Sequence, residues 1–375
     1  MKKHILIFIP AIESGGVERN AILIANGLLA QGYRVSVLYC RAMESQLERF
    51  EQGVELVCFP RKQIPHIHPR LTDAYFMKKN LSEYLQQVKA EKTILIAFQS
   101  ASVAIGICKK MDVKVVCRLS NHPSMVKYEK SFTRKLSEWI RPYTYKKADV
   151  IIANSKRLAD DFGKQIGKEV VTVYNPIDIE HVKTQMQEEI EAELKQEAES
   201  YQGKLLVAVG RLSVQKDYGT LLRGFAKSRH ADTKLWILGE GSERSNIEAL
   251  IKELGLENRV RLIGYRRNVY KYLKYGTIYI LSSLYEGCPN SLIEAVAVGL
   301  PCIAADCLSG PDEVLLHGEG GLLFPVGDDK ALAECIDAYL DDAKMLESKA
   351  KMATEEVRRF SIENTLKMYR EIIRN

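Results

Sequence analysis

The 375-residue chain holds eight cysteines, at positions 40, 58, 108, 117, 288, 302, 307 and 335, yet no Cys-x-x-Cys pair. That spacing excludes the common zinc and dithiol motifs and favours reduced, buried thiols of a cytosolic protein. No Asp-x-Asp occurs, so the usual acidic metal grip on a diphosphate is missing. The first strand-to-helix turn lacks Gly-x-Gly-x-x-Gly, the fingerprint of dinucleotide binding. No apolar run reaches the ~20 residues of a membrane-spanning helix. The opening run Ile5–Ile9 is short, is broken by Pro10 and Glu13, and has no small-residue cleavage site, so it reads as a buried strand rather than a signal peptide. There are no repeats and no low-complexity tracts.

The residues present are 46% apolar and 27% charged, with a net charge of +6. Those are values of a folded globular protein, and the length exceeds the usual size of one core. Short apolar runs alternate with amphipathic segments along the chain. His4–Ile9, Arg34–Tyr39, Glu55–Phe59, Thr93–Phe98, Lys114–Arg118 and Val150–Ala153 read as strands, with helices over Val17–Leu29, Leu71–Val88 and Lys135–Lys146. The rhythm repeats at Lys204–Val209, Thr233–Leu238, Val260–Ile263, Ile278–Leu281 and Pro301–Ala305, with helices over Gly219–Ser228, Ser242–Leu254, Ser291–Val298 and Lys330–Leu340. Such alternation predicts an α/β protein of two tandem, doubly wound, Rossmann-like domains with parallel sheets. The expected boundaries are 1–177, 178–358, and a terminal helix over 359–375 that packs back toward the first domain. His181–Gln202, rich in Glu and Gln, reads as one solvated helix. Ligands of doubly wound domains bind beyond the carboxyl ends of the strands, which makes the cleft between facing domains the expected active site.

Candidate site residues lie after those strands. Glu286-Gly287-Cys288-Pro289-Asn290-Ser291-Leu292-Ile293-Glu294 carries two carboxylates around a helix start, with Pro289 expected in the first turn and Asn290 or Ser291 as cap. A helix start attracts phosphate, and carboxylates suit sugar hydroxyls. Gly210-Arg211-Leu212-Ser213-Val214-Gln215-Lys216 places two cations at a strand end, where arginine can grip a phosphate by two bonds and lysine acts as a point charge. Gly239-Glu240-Gly241 and Gly264-Tyr265-Arg266 follow further strands, and the second could hold a base through its backbone. Gly15-Gly16 in the first turn allows close backbone approach to a ligand. His122 follows an apolar strand on a loop free to face the cleft.

Together these residues resemble glycosyltransferase family 4, the retaining group-1 enzymes of the GT-B fold, nearly end to end. The resemblance rests on Gly15-Gly16-Val17-Glu18, Gly210-Arg211-Leu212 with Lys216, Gly239-Glu240-Gly241, Gly264-Tyr265, the Glu286–Glu294 pair and Gly320-Gly321-Leu322-Leu323. It implies that Arg211 and Lys216 bind the donor diphosphate and stabilise it as it leaves. It gives Glu294 the ribose hydroxyls and Glu286 the transferred sugar, and it makes Pro289, Asn290, Ser291 and Leu292 backbone donors. His122 matches the place of a histidine near the anomeric carbon, although many relatives have an acidic residue where Pro123 stands. Gly16 would lie near the diphosphate or acceptor, with Gly210, Gly264 and Arg266 completing the donor site. The implied donor is a UDP-sugar, with no metal or other cofactor. The implied chemistry is same-face attack, with a donor phosphate oxygen taking the acceptor's proton. Ser309-Gly310-Pro311-Asp312-Glu313 resembles a loop of relatives that build surface polysaccharides and lipid-linked glycans.

Lys127–Lys147 interleaves seven cations and two acids with Phe132, Trp139, Ile140, Tyr143 and Tyr145. Such a stretch suits anionic lipid headgroups, and Arg61–Lys79 could extend the surface. The expected partners are therefore a UDP-sugar, a lipid-linked glycan acceptor and the inner face of the cell membrane, not nucleic acid. Two other classes compete: an NAD(P)-dependent oxidoreductase of similar architecture, and a non-catalytic membrane- or nucleic-acid-binding protein. The missing glycine fingerprint opposes the first. The second leaves the Arg211/Lys216 and Glu286/Glu294 constellation without a purpose.

Overall fold

The computed structural model describes residues 3–13, 15–60, 69–120 and 132–374. His122, Pro123 and the stretches 61–68 and 127–131 lie outside them. The strands are β1 (His4–Phe8), β2 (Ala11–Ile12), β3 (Arg34–Tyr39), β4 (Arg41–Ala42), β5 (Glu55–Cys58), β6 (Thr93–Ala97), β7 (Lys114–Leu119), β8 (Val150–Ala153) and β9 (Val171–Thr172). They continue with β10 (Lys204–Val209), β11 (Thr233–Leu238), β12 (Val260–Gly264), β13 (Ile278–Leu281), β14 (Cys302–Ala305) and β15 (Leu322–Phe324).

The chain divides into two compact units, 1–176 with 362–375, and 177–361. In the first unit a parallel sheet runs in the order β5-β3-β1-β6-β7-β8-β9. Alternate residues of each strand feed opposite faces, and both faces are covered. Leu6, Phe8, Leu95, Val115, Cys117 and Ile151 pack with Met77, Leu81, Ile105, Leu158 and Phe162. Ile5, Ile7, Val35, Val37, Ile96 and Val116 pack on the other side with Ile24, Leu28, Leu366, Tyr369 and Ile373. The terminal helix Ile362–Arg374 thus belongs to the first unit, its apolar stripe at helical spacing closing that second face.

In the second unit a parallel sheet runs β12-β11-β10-β13-β14-β15, with Leu206, Ala208, Leu235, Ile237, Ile280 and Ile303 against Leu221, Leu222, Phe225, Leu332, Ile336 and Tyr339. β10 is central, so the turns after β10, β11 and β13 are neighbours.

The expected single helix over His181–Gln202 is two, Ile179–Gln185 and Ala192–Ser200. Val182, Ile190 and Leu194 are buried, so the segment is anchored rather than wholly solvated. All eight cysteines are free, and six are buried, but Cys58 is exposed and Cys335 half-buried. Cys58 ends the edge strand β5, where only one side is covered. Among the described residues, no helix is long and apolar enough to cross a membrane.

Candidate active site

The site builds up from the end of β10. After Val209 the chain turns through Gly210 and Arg211 into a single 3-10 turn, Val214–Lys216. Asp217, with φ +44°, then caps the helix Tyr218–Lys227 by accepting from Thr220 N at 3.2 Å and from Thr220 Oγ1 at 2.6 Å. The Lys216 side chain doubles back across Gly210, where an added Cβ would lie 3.1 Å from Lys216 Cε. A glycine there leaves room for the lysine stem.

Lys216 Nζ lies 2.6 Å from Glu286 Oε1. Both side chains are largely buried, at 16% and 9% exposure. Ser283 Oγ donates to the same Oε1 at 2.8 Å. Glu286 Oε2 accepts no hydrogen bond from any described residue, so one oxygen anchors the carboxylate and the other is presented. The field of this carboxylate reaches its neighbours. Tyr218 is held above its ordinary range by burial and then by Glu286, and Cys307 is pushed up to about 12 by burial and then by the same charge. Arg211 is exposed and has no ion pair or hydrogen bond among the described residues.

Further bonds fasten the β10 and β13 loops together. Leu284 N donates to Gln215 O at 2.8 Å, Gln215 Nε2 to Tyr285 O at 2.9 Å, and Ser282 Oγ to Lys216 O at 2.8 Å. Beyond them runs the helix Asn290–Val298, ending at Gly299. Pro289 stands at the N-cap rather than in the first turn, and no side chain caps this helix. Two expectations are thereby corrected. Proline has no N–H, so Pro289 cannot be a backbone donor. Leu292 N already donates to Pro289 O at 3.1 Å, inside the first turn of the helix. Ser291 Oγ lies 2.8 Å from the hydroxyl of buried Tyr279. Glu294, 4% exposed, accepts from Tyr270 OH at 3.3 Å.

Gly264, with φ +83°, ends β12, and Tyr265 beside it is exposed. Arg266 is tied elsewhere: its Nε lies 2.9 Å from Tyr272 OH and 3.1 Å from Glu191 Oε1. Gly16 opens the helix Gly16–Ala30 in the first unit. The second unit therefore gathers Gly210, Lys216, Glu286, Pro289, Asn290, Ser291, Leu292 and Glu294 around adjacent strand ends. Ser283, Tyr270 and Tyr279 join them without any sequence signal beyond proximity to the motifs, and Gln215 and Ser309 join them from within the motifs themselves.

On the first unit, the helix Phe132–Tyr145 exposes Trp139 by 67% and Tyr143 by 68%, with their ring centroids 6.0 Å apart. Tyr145, at the end of the helix, is buried. Lys146 and Lys147 beside them are exposed.

A model of Glycosyltransferase Family 4 matches residues 14–181, and a model of Glycosyl transferases group 1 matches residues 189–356. An N-acetylgalactosamine-N,N'-diacetylbacillosaminyl-diphospho-undecaprenol 4-alpha-N-acetylgalactosaminyltransferase of Campylobacter jejuni is 32% identical over 60% of this chain and 59% of its own. A glycosyltransferase of Haemophilus influenzae is 24% identical over 99% of this chain and 100% of its own. At about 30% identity, the chain spans little more than half the length of curated relatives it matches. The structure of Anabaena HepE in complex with UDP superposes with a TM-score of 0.80 at 21% identity, covering 100% of this chain and 99% of that one. The two matched models and the two parallel sheets leave one assignment: this chain belongs to the family 4, group 1 glycosyltransferases and has the GT-B fold.

Proposed function

We propose that the chain is a retaining, metal-independent glycosyltransferase that moves a hexose or N-acetylhexosamine from a UDP-sugar to a glycan carried on a polyprenyl diphosphate, in cell-surface polysaccharide assembly. The observation that carries this reading is the Lys216–Glu286 pair. One ammonium proton is given to Glu286, and two remain for phosphate oxygens. The diphosphate then lies beside Lys216, Arg211 and the start of the helix Asn290–Val298. The sugar reaches Glu286 Oε2, and the ribose reaches Glu294. As the anomeric C–O bond breaks, its electron pair goes to the diphosphate, whose charge these groups stabilise without reorganising. The acceptor oxygen bonds to the anomeric carbon on the same face, and its proton passes to a phosphate oxygen of the donor. Glu286 acts as a sugar ligand rather than a nucleophile, because Lys216 and Ser283 both draw on its Oε1.

The donor preference is supported by the UDP held by the HepE structure and by the backbone-lined Gly264 loop. The acceptor class is supported by the undecaprenol-linked substrate named for the Campylobacter relative. Release of nucleotide from UDP-GlcNAc, UDP-GalNAc, UDP-Glc, UDP-Gal and GDP-Man, measured in EDTA, tests the reading. Cleavage of at least one UDP-sugar is expected; no cleavage of any of the five would refute it.

The exposed Trp139 and Tyr143 with Lys146 and Lys147 support docking of the first unit on the inner leaflet. Vesicles rich in phosphatidylglycerol should sediment the protein at low salt and release much of it at moderate salt. Absence of binding at both salts would remove the membrane from the account.

A further inference from the structure

Resting on the reading of Glu286 as the grip on the transferred sugar, we propose that Ser309 and Gly310 are positioning residues that set where Glu286 stands. They lie on the loop after β14, on a different strand from either carboxylate of the pair. Ser309 is fully buried, and its Oγ donates to the main-chain oxygen of Glu286 at 2.9 Å. Gly310 follows with φ +98°, a conformation that suits glycine. It also packs flat on the stretch that links the two carboxylates. A Cβ at Gly310 would lie 2.9 Å from Pro289 Cδ and 3.0 Å from Cys288 Cα, and would collide with the carbonyl oxygen of Gly287.

Glu286 is thus fixed from three directions. Lys216 and Ser283 hold its carboxylate, and Ser309 holds its backbone, while Gly310 sets the height of the turn between it and Pro289. The nucleoside contacts lie elsewhere, at Glu294 inside the helix and at Gly264 at the end of β12, while the diphosphate shares the helix start with Pro289. A shift of the Glu286 turn therefore strikes the sugar most and the nucleotide least. This asymmetry separates positioning from general structural support, which would weaken sugar and nucleotide binding together.

The test uses the full chain and the UDP-sugar that wild type cleaves best, with UDP as the reference ligand. Ser309→Ala should lower kcat/KM about 5-fold, the usual value of one hydrogen bond, and leave the UDP Kd within about twofold. Gly310→Ala should lower kcat/KM about 100-fold, as ångström misplacement of a reacting group does, with a smaller loss of UDP affinity because Gly310 also packs on the helix start that faces the diphosphate. Added to Glu286→Gln, the Ser309→Ala change should cost nothing further, since the side chain it positions is already disabled. The proposal is overturned if either single variant keeps wild-type kcat/KM, if UDP and UDP-sugar affinities fall in parallel, or if Ser309→Ala lowers Glu286→Gln further. Wild-type preference for the UDP-sugar over UDP that survives in Glu286→Gln would instead overturn the sugar-grip reading itself, and the positioning role with it.

Discussion

Lys216→Ala is expected to lower kcat about 10²–10³-fold, the usual loss when one preorganised donor to a developing anion is removed. The lysine lies across Gly210 with its ammonium against a carboxylate of 9% exposure, so its position is set before any donor arrives. That preorganisation makes it worth more than a mobile surface cation. The same substitution leaves Glu286 Oε1 with only the Ser283 hydroxyl. A destabilisation of roughly 2 kcal/mol should follow, below the figure for a fully buried pair because both side chains keep some exposure. Stability and catalysis can then be separated. Lys216→Ala combined with Glu286→Gln removes the uncompensated charge and should regain much of the stability in urea, with no recovery of turnover. Near-normal kcat in purified Lys216→Ala would remove the lysine from the leaving-group site.

The second large effect is expected at Gly239, through the backbone. Its φ is +153°, and an added Cβ would collide with the carbonyl oxygen of Gly210. Around it the turns after β10, β11 and β12 are stitched together. Gly210 N donates to Leu238 O at 3.0 Å, Gly239 N to Gly264 O at 2.9 Å, and Leu212 N to Glu240 O at 3.0 Å. Neither the φ nor the clash can be relieved without moving the Arg211 turn. Gly239→Ala should therefore destabilise by about 3 kcal/mol or more, combining strain with overpacking. UDP affinity should fall with it. Gly255→Ala is the matched control, with φ +65° and nothing within 4 Å of its added Cβ, and should cost only about 1 kcal/mol. Equal melting and equal UDP affinity in both variants would contradict this account of the turn.

The sequence made the sheets legible because both of their faces are buried. Continuous apolar runs such as Ile5–Ile9 and Leu205–Val209 have no competing reading once helical segments flank them. The short strands β2, β4, β9 and β15, of two or three residues, carry too little pattern to be seen. The segment 181–202 misled because its many Glu and Gln residues conceal the three buried side chains that divide it. Of the site, the motif residues were readable as types at spacings, including both carboxylates and both cations. Their pairing was not. Lys216 and Glu286 are 70 positions apart and meet only because β10 and β13 are neighbours in the sheet. Helix-start preferences suggested Pro289 inside the first turn, whereas it stands one position earlier, at the cap. Arg266 was expected in the donor site, and its ion-pair partner, Glu191, comes from the segment that the sequence misrepresented.

The central claim is that the turn after β10 receives a nucleoside diphosphate, and calorimetric titration of wild type and Arg211→Ala with UDP and with uridine tests it most directly. Arg211 has no described partner to lose, so the variant should fold as wild type does. Wild type should bind UDP about 100-fold more tightly than uridine, as a few charge-assisted bonds require, and Arg211→Ala should lose most of that difference while binding uridine unchanged. Equal affinity of wild type for UDP and uridine, or an Arg211→Ala variant that binds UDP like wild type, would contradict the account.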